Sequence, residues 1–212
     1  MSTSVEKSYH HGELRAALVG AALALLSERG ADALSLRAVA RRAGVSAMAP
    51  YRHYADKEAL LAAVAAHGFD GLGAALRVAD EAAVADQALV AQAVAYVGYA
   101  LENPALFRLM FGSRRLGTHP ELAVAGDAAY AVLAARVAAE TPASVDREAR
   151  VLGCWSLVHG LASLFLDGRI KDKIATPDDD LTRRVAEAML AGGLGPSKPA
   201  RRHMIAGAQV CR

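Results

Sequence analysis

Two helix-start signals stand eleven residues apart in this chain, with a glycine between them. Ser35 can cap a short helix over about 36–43, and Ser46 can cap a second one over 47–54. Gly44 suits the left-handed residue that ends the first of these helices. Two short helices joined by a tight turn that contains glycine predict a helix-turn-helix.

Helices are also predicted on both sides of this motif. Upstream, apolar residues at helical spacing indicate a helix that runs to about Glu28 and stops at Gly30; they are Leu14, Leu18, Ala21 and Leu25. Downstream, Asp56 can cap a helix that begins at Lys57 and extends to about Leu76. We therefore predict a small helical domain over 10–56.

Composition extends the helical prediction to the whole chain. Hydrophobic residues make up 54% of the 212 residues but aromatic residues only 5%, so alanine, leucine and valine supply most of the apolar surface. Alanine and leucine favour helices, whereas strands are enriched in aromatic residues. The predicted fold class is all-α, with an N-terminal three-helix helix-turn-helix domain followed by a larger helical domain over 57–194.

Turn signals divide the larger domain into several helices. Asn103 can cap a helix that starts at Pro104, and a glycine-containing loop is expected over 112–117. Three more helices are then predicted, over 120–140, 144–167 and 178–190. Residues 195–212 have no periodicity and are expected to form a flexible tail.

Positive charge is concentrated on the helix-turn-helix. The chain carries 24 Lys and Arg against 22 Asp and Glu, a net charge of +2. Residues 33–57 hold five basic side chains and one acidic one, a local net of +4, whereas residues 61–212 hold 16 of each sign. Any surface that binds a polyanion should therefore lie on the motif.

The sequence also bears on compartment. Two cysteines, Cys154 in an apolar stretch and Cys211 near the end, predict no disulfide framework and favour a reducing cytoplasm. Residues 1–11 are polar and lack the apolar core of a signal peptide. The longest apolar run, 151–166, is interrupted by His159 and is shorter than about 18 residues, so no membrane span is expected.

Three segments of the helix-turn-helix region follow one another closely: Leu34-Ser-Leu-Arg-Ala-Val-Ala-Arg-Arg-Ala-Gly-Val-Ser46, Tyr51-Arg-His-Tyr54 and Asp56-Lys-Glu-Ala-Leu-Leu61. Together they resemble the TetR family of bacterial transcriptional regulators. Trp155-Ser-Leu-Val-His159-Gly160, with segments 49–53 and 96–111, resembles the branch whose C-terminal domain is named for Trp, His and Gly. The resemblance implies a homodimeric, ligand-responsive repressor that binds a palindromic operator in double-stranded DNA.

The same resemblance implies a set of DNA-contacting residues: Ser35, Arg37, Ser46, Ala47, Met48, Ala49, Tyr51, His53 and Lys57. Tyr51 and Lys57 match the family's phosphate contacts, with His53 as a third. Arg37 could bind guanine N7 and O6. Positions 47–49 stand where the family reads bases, but small apolar side chains offer little beyond contact with thymine methyls. Arg37 and DNA shape should then supply more of the specificity.

The second half concentrates aromatic and soft side chains that could line an effector pocket. They are Tyr96, Tyr99, Phe107, Met110, Phe111, Tyr130, Trp155 and His159. Trp155 and His159 are i, i+4 partners, so one helix face could offer an indole N–H and an imidazole to an apolar cavity. The alternative for each residue is plain packing in the core, and for His159 a buried, hydrogen-bonded histidine.

Apolar residues of the last two predicted helices fit the family's two-helix dimer interface. They are Leu157, Leu161, Leu164, Phe165, Leu181, Val185 and Met189. Packing within one subunit is the alternative.

Two other functions remain open at this point. One is an all-α enzyme or carrier with an incidental helix-turn-helix, and the other is a DNA-binding regulator controlled by a protein partner or by no ligand. The sequence contains no GxSxG, HExxH, CxxC or P-loop pattern. We therefore expect no catalytic residues, no metal site and no cofactor.

Overall fold

The computed structural model describes residues 5–112, 119–170, 173 and 180–191. Within these ranges the chain is helical and contains no strand, which confirms the predicted fold class. The helices are α1 (Val5–Arg29), α2 (Leu36–Arg42), α3 (Lys57–Ala82), α4 (Ala88–Glu102), α5 (Pro104–Gly112), α6 (Pro120–Glu140), α7 (Arg147–Leu166) and α8 (Leu181–Ala186). A π-helical turn, Glu187–Ala191, continues α8. The predicted tail, and the predicted loop beyond residue 112, lie outside the described residues.

Local caps end and start the helices of the N-terminal region as predicted. The Ser35 hydroxyl accepts the Ala38 N–H at 3.1 Å, and the Asp56 carboxylate accepts the Ala59 N–H at 2.8 Å. Gly44 has a φ of 70°. Its N–H bonds to the Arg41 carbonyl, and the next N–H along the chain bonds to the Ala40 carbonyl. This pair of bonds is a Schellman motif, which only a residue that tolerates positive φ can close without strain.

One predicted cap has a different role. The Asn103 side chain donates to the Tyr99 carbonyl at 3.0 Å, so it satisfies the C-terminal end of α4 and does not cap the N-terminus of α5. The Asn103 carbonyl still accepts the Phe107 N–H at 2.8 Å, and α5 begins at Pro104 as predicted. Helix α3 runs six residues past its predicted end at Leu76, because no glycine or proline interrupts the alanine-rich stretch that follows.

Helix α3 is the centre of the packing. It contacts α4, α5 and α6, while α1 packs on α2, α3 and α5. A Cβ at Gly73 of α3 would lie 3.4 Å from the Cα of Ala129 on α6, which is ordinary van der Waals contact. The core of the N-terminal region, which includes Leu18 and Val39, is continuous with that of the larger bundle.

Three helices are long and apolar enough to cross a membrane when judged by length and composition alone: α3, α6 and α7. The sequence analysis expected no segment of this kind, because it looked for an unbroken apolar run. Alanine-rich helices reach a high mean hydropathy without one. In α3, 56% of the most apolar window is buried inside the fold, against 22% in α6 and in α7. The apolar surface of α3 is thus used within the chain, whereas α6 and α7 keep apolar surface outside it.

Candidate nucleic-acid interface and ligand cavity

The segment after Gly44 does not form the second short helix that was predicted over 47–54. Its helical content is one 3-10 turn, Pro50–Arg52. The Ala49 N–H bonds to the Ser46 carbonyl at 3.0 Å, which is the i to i+3 spacing of a tight turn. Pro50 has no N–H to donate to the same carbonyl, so the first i to i+4 bond of an α-helix capped by Ser46 is missing. We call residues 46–54 the recognition turn.

Most of the residues predicted to contact DNA lie on the surface. Met48 is 69% exposed and Tyr51 is 44% exposed. The other exposed members of the set are Ser35, Arg37, Ser46, Ala47 and Lys57, whereas Ala49 and His53 are half-buried. The exposed side chains come from the start of α2, the recognition turn and the start of α3. Lys57 is also the first residue of α3, where backbone N–H groups attract anions.

Not every arginine of the motif remains available for a partner. Arg42 donates two hydrogen bonds to the Glu28 carboxylate, at 2.8 and 2.6 Å, and so joins α2 to the end of α1. These hydrogen bonds lower the pKa of Glu28 and raise that of Arg42. Arg37, Arg41 and Arg52 stay exposed. Because Glu28 engages Arg42, fewer arginines of the motif can contact a partner than the sequence count suggests.

An apolar cavity of about 490 Å³ opens between α3, α4, α5, α6 and α7. That volume is in the range of about 300–1,000 Å³ common for small-molecule sites. Five of the eight residues predicted for an effector pocket line it: Tyr96, Met110, Phe111, Tyr130 and Trp155. We call this space the apolar cavity.

The other three predicted pocket residues lie elsewhere. Phe107 is buried and packs behind the wall, with its ring centroid 5.4 Å from that of His159. The His159 Nδ1 lies 2.9 Å from the Tyr96 hydroxyl, so His159 orients a lining residue and does not itself line the cavity. Tyr99 faces α3, where its hydroxyl donates to the Gly68 carbonyl at 2.8 Å.

Burial sets the ionisation of the Tyr96 and His159 pair. It raises the pKa of the Tyr96 hydroxyl well above its ordinary value, and the Trp155 indole offsets part of this effect. Burial also lowers the pKa of His159. Both side chains are therefore neutral near pH 7, which suits a wall that faces an apolar ligand.

Gln92 is a cavity residue that the sequence analysis missed. It lies on α4 among buried apolar residues, lines the apolar cavity and is only 3% exposed. Its side-chain N–H donates to Asp80 at 2.7 Å, and Arg136 donates two further hydrogen bonds to the same carboxylate, each at 2.7 Å. These hydrogen bonds lower the pKa of Asp80. A lone polar residue at a core-facing position of α4 was the available signal.

The residues predicted for a dimer interface divide by exposure. Leu164 and Met189 are exposed, at 48% and 63%, while Val185 and three α7 residues, Leu157, Leu161 and Phe165, are half-buried. Leu181 is buried within the chain, so its packing is within one subunit, the alternative considered for it. Helix α7 also exposes Leu152.

No cluster of three or more His, Cys, Asp or Glu side chains that could hold a metal ion occurs among residues 5–112, 119–170 and 180–191.

Comparison with known proteins assigns the class. Residues 18–64 match the family described as bacterial regulatory proteins, tetR family, and residues 89–191 match the tetracyclin repressor-like C-terminal domain. The first match contains the helix-turn-helix and the second contains most of the cavity wall. The chain belongs to the TetR family of DNA-binding transcriptional regulators.

Two regulators and one protein of unknown function are similar to this chain. The chain is 35% identical over 97 residues to the HTH-type transcriptional regulator Rv1816 of Mycobacterium tuberculosis, a match that spans 44% of this chain and 42% of that relative. A structure of a protein with unknown function from Rhodococcus sp. RHA1 shares 35% identity, covering 85% of this chain and 95% of that one, at a TM-score of 0.74. A tetR-family regulatory protein from Rhodococcus RHA1 shares 26% identity over 83% and 95% of the two chains, at a TM-score of 0.61.

Proposed function

We propose that this regulator is a homodimeric repressor that binds a two-fold operator and releases it when a small molecule fills the apolar cavity. One observation carries the proposal: a single chain combines an exposed basic helix-turn-helix with a separate cavity of about 490 Å³. The proposed division is 10–56 for DNA binding and 57–194 for effector binding and dimerisation.

In the proposed complex with DNA, Arg37 contacts a base edge and the start of α3 contacts the phosphate backbone. Arginine can bind guanine bidentately, and the exposed Arg37 side chain is free of the core. Tyr51, Lys57 and half-buried His53 would contact phosphates, while Ala47 and Met48 would touch thymine methyls. Capping by Ser35 holds α2 in position for these contacts.

The proposed dimer forms through α7 and α8. Leu164 and Met189 are large apolar side chains that a single chain leaves exposed, and α7 retains apolar surface along its length. Two copies joined on this surface would present two recognition turns to half-sites one helical turn, about 34–36 Å, apart. A single recognition turn offers too few contacts for tight binding on its own.

Three finer assignments belong to the same proposal. Trp155, His159 and Gly160 of α7 support membership of the branch named for those three residue types. Family membership supports a cytoplasmic protein without a membrane partner. It also supports a regulatory function without catalysis, which makes an enzyme with an incidental helix-turn-helix the weaker alternative.

Gel retardation on the DNA upstream of the protein's own gene tests the proposal. We expect a discrete complex at nanomolar protein that a hundredfold excess of random DNA of the same length does not remove. Equal affinity for upstream and random DNA would contradict operator recognition. A complex that is specific yet unaffected by any compound bound in the apolar cavity would favour a regulator controlled by a protein partner.

A further inference from the structure

The apolar cavity meets solvent between α6 and α7. Ala123, Asp127 and Tyr130 of α6 line the cavity and are exposed, and their spacing of i, i+4 and i+7 places them on one face of the helix. Leu152 of α7 also lines the cavity and is exposed. The other described lining residues are buried or half-buried. We call these four exposed residues the cavity mouth.

The cavity mouth combines a negative charge with aromatic surface. Among the described residues that line the cavity, Asp127 carries the only charge. Tyr130 lies one helical turn further along α6 and is 37% exposed. Its ring meets that of Trp155 edge to face, with the centroids 5.7 Å apart and the planes at 70°. A carboxylate beside aromatic rings attracts a cation, because the charge and the ring quadrupole act in the same direction.

The arginines of the two helices at the mouth are engaged elsewhere. Arg136 of α6 donates to the Asp80 carboxylate, and Arg147 and Arg150 of α7 donate to backbone carbonyls. None of these three arginines lines the cavity. Within the described wall, the charge of Asp127 therefore has no basic partner.

The deeper wall offers no place for a charged group. The Tyr96 hydroxyl lies 2.9 Å from the His159 Nδ1, and the Gln92 amide donates to Asp80 at 2.7 Å, while the Gln92 Oε1 is inaccessible. Burial raises the pKa of the Cys154 thiol, so this lining residue stays neutral. A charged group here would lose its water without gaining a partner. The charged end of a ligand should therefore remain at the cavity mouth.

We infer that the effector is a lipophilic cation, whose apolar body fills the cavity and whose ammonium group lies at the mouth between the Asp127 carboxylate and the Tyr130 ring. This inference rests on the proposed function, because it names the ligand class of the same cavity. A fatty acid with the same body would bring its carboxylate close to Asp127, and the described wall has no basic side chain to hold it.

Two compounds with the same decyl chain provide the test: decyltrimethylammonium and undecanoate. A water-sized group occupies about 30 Å³, so a cavity of about 490 Å³ accommodates this chain. Titration calorimetry on the full chain, below the concentrations at which micelles form, measures the affinity and the number of sites. The fluorescence of Trp155, the chain's single tryptophan, reports binding in the cavity. We expect one site per chain and about tenfold tighter binding of the ammonium compound.

Asp127→Asn removes the charge and keeps the shape of the side chain. The preference for the ammonium compound should then fall from about tenfold to about threefold, as the ammonium compound binds more weakly and undecanoate more tightly. Asp70→Asn is the matched control, because Asp70 is exposed on α3 and does not line the cavity. That variant should keep the full preference.

Tyr130 provides an independent test of the aromatic contribution. Tyr130→Leu should weaken binding of the ammonium compound and leave that of undecanoate nearly unchanged, because only the cation interacts with the ring face. Tyr130→Phe retains the ring and should retain the preference. Both side chains at the mouth are exposed, and thermal unfolding shows whether each variant is folded.

The outcomes separate this inference from the function on which it rests. Undecanoate binding as tightly as the ammonium compound overturns the ligand class, and so does a tenfold preference that persists in folded Asp127→Asn. Failure of the ammonium compound to bind, or binding of several molecules per chain without a change in Trp155 emission, also overturns it. Calorimetry involves no DNA, so a chain that prefers the ammonium compound yet never binds an operator refutes the proposed function alone.

Discussion

The guanidinium of Arg15 in α1 donates to the carboxylate of Glu121, the second residue of α6. The next two residues of α6, Leu122 and Ala123, line the apolar cavity. Arg15 also lies close to Tyr54, the buried last residue of the recognition turn. Burial raises the pKa of Tyr54, and the positive charge of Arg15 opposes that rise. One side chain thus connects the cavity wall to the DNA-binding region.

Breaking this pair should loosen the recognition turn more than it destabilises the fold. Both side chains are about half exposed, so Glu121→Gln should cost less than about 1 kcal/mol of unfolding free energy. Hydrogen exchange at the amides of His53 and Tyr54 should nevertheless speed up. Asp127→Asn, on the same helix but without this contact, is the control. Unchanged exchange in Glu121→Gln would show that the pair carries no coupling.

Arg37 and Lys57 should differ in what their removal does to DNA binding. Arg37→Ala should cost about 1–3 kcal/mol on the operator and relax one base position per half-site. Lys57→Ala should weaken operator and random DNA alike and flatten the salt dependence by about 1 per subunit. Binding isotherms at several salt concentrations measure both effects. Arg42→Ala is the control, since Glu28 already engages that guanidinium; similar losses in all three variants would argue against direct readout.

Gly68 of α3 should tolerate no larger residue without a change in the cavity wall. An added Cβ would lie 2.6 Å from the Met110 Sδ and 3.1 Å from a Leu106 methyl. Gly68→Ala should therefore displace Met110 and cost about 1–2 kcal/mol, measured by urea unfolding. Gly98→Ala on α4 meets nothing within 4 Å and should be neutral or stabilising by up to about 1 kcal/mol. The prediction is wrong if both substitutions stabilise the chain equally.

His159 should make stability depend on pH. Burial lowers its pKa, so the unfolded chain binds that proton more readily than the folded one. The contribution is complete above the unfolded pKa of about 6.5 and is lost progressively as the pH falls from there through the lowered folded value. Urea unfolding at pH 8 and pH 5.5 should therefore show a smaller decline for His159→Gln than for the parent chain. The same substitution at exposed His67 should keep the parent's decline.

A charge at Leu164 should separate the proposed dimer. This side chain is 48% exposed in the single chain, so Leu164→Asp should leave the monomer's unfolding free energy within about 0.5 kcal/mol. Sedimentation at micromolar concentration should then show a monomer, with much weaker operator binding. Val78→Asp, at an exposed apolar position of α3, should remain a dimer. A dimer that persists in Leu164→Asp would move the interface away from this part of α7.

Sequence reasoning succeeded where the determinants are local. The caps at Ser35 and Asp56 and the positive φ at Gly44 each depend on a few neighbouring residues, and all three are present as predicted. The bounds of α6 follow from Pro120 and the break after Glu140 for the same reason. Five of eight proposed pocket residues could be placed on the cavity because aromatic side chains in an alanine-rich chain are few.

Sequence reasoning failed where the role of a residue depends on contacts with residues that are distant in the sequence. Nothing near Arg42 in the sequence indicates that Glu28, fourteen residues earlier, engages it. Gln92 could not be identified as a cavity residue until the fold brought Asp80 and Arg136 together beside it. The recognition turn is a different case, because a local residue decides against the predicted helix: Pro50 lacks the N–H that an α-helix over 47–54 would need.

In the recognition turn, the residues that maintain the fold are different from the residues that face outward. Ala47 and Met48 are exposed and make no contribution to the buried core, while the structure around them is maintained by Pro50, Tyr54 and the flanking caps. In the proposed DNA complex, substitutions at these two positions would therefore alter which DNA sequence is preferred at almost no cost in folding. After gene duplication, a descendant copy could acquire a new set of target genes through one or two such changes, with its sensing half left intact.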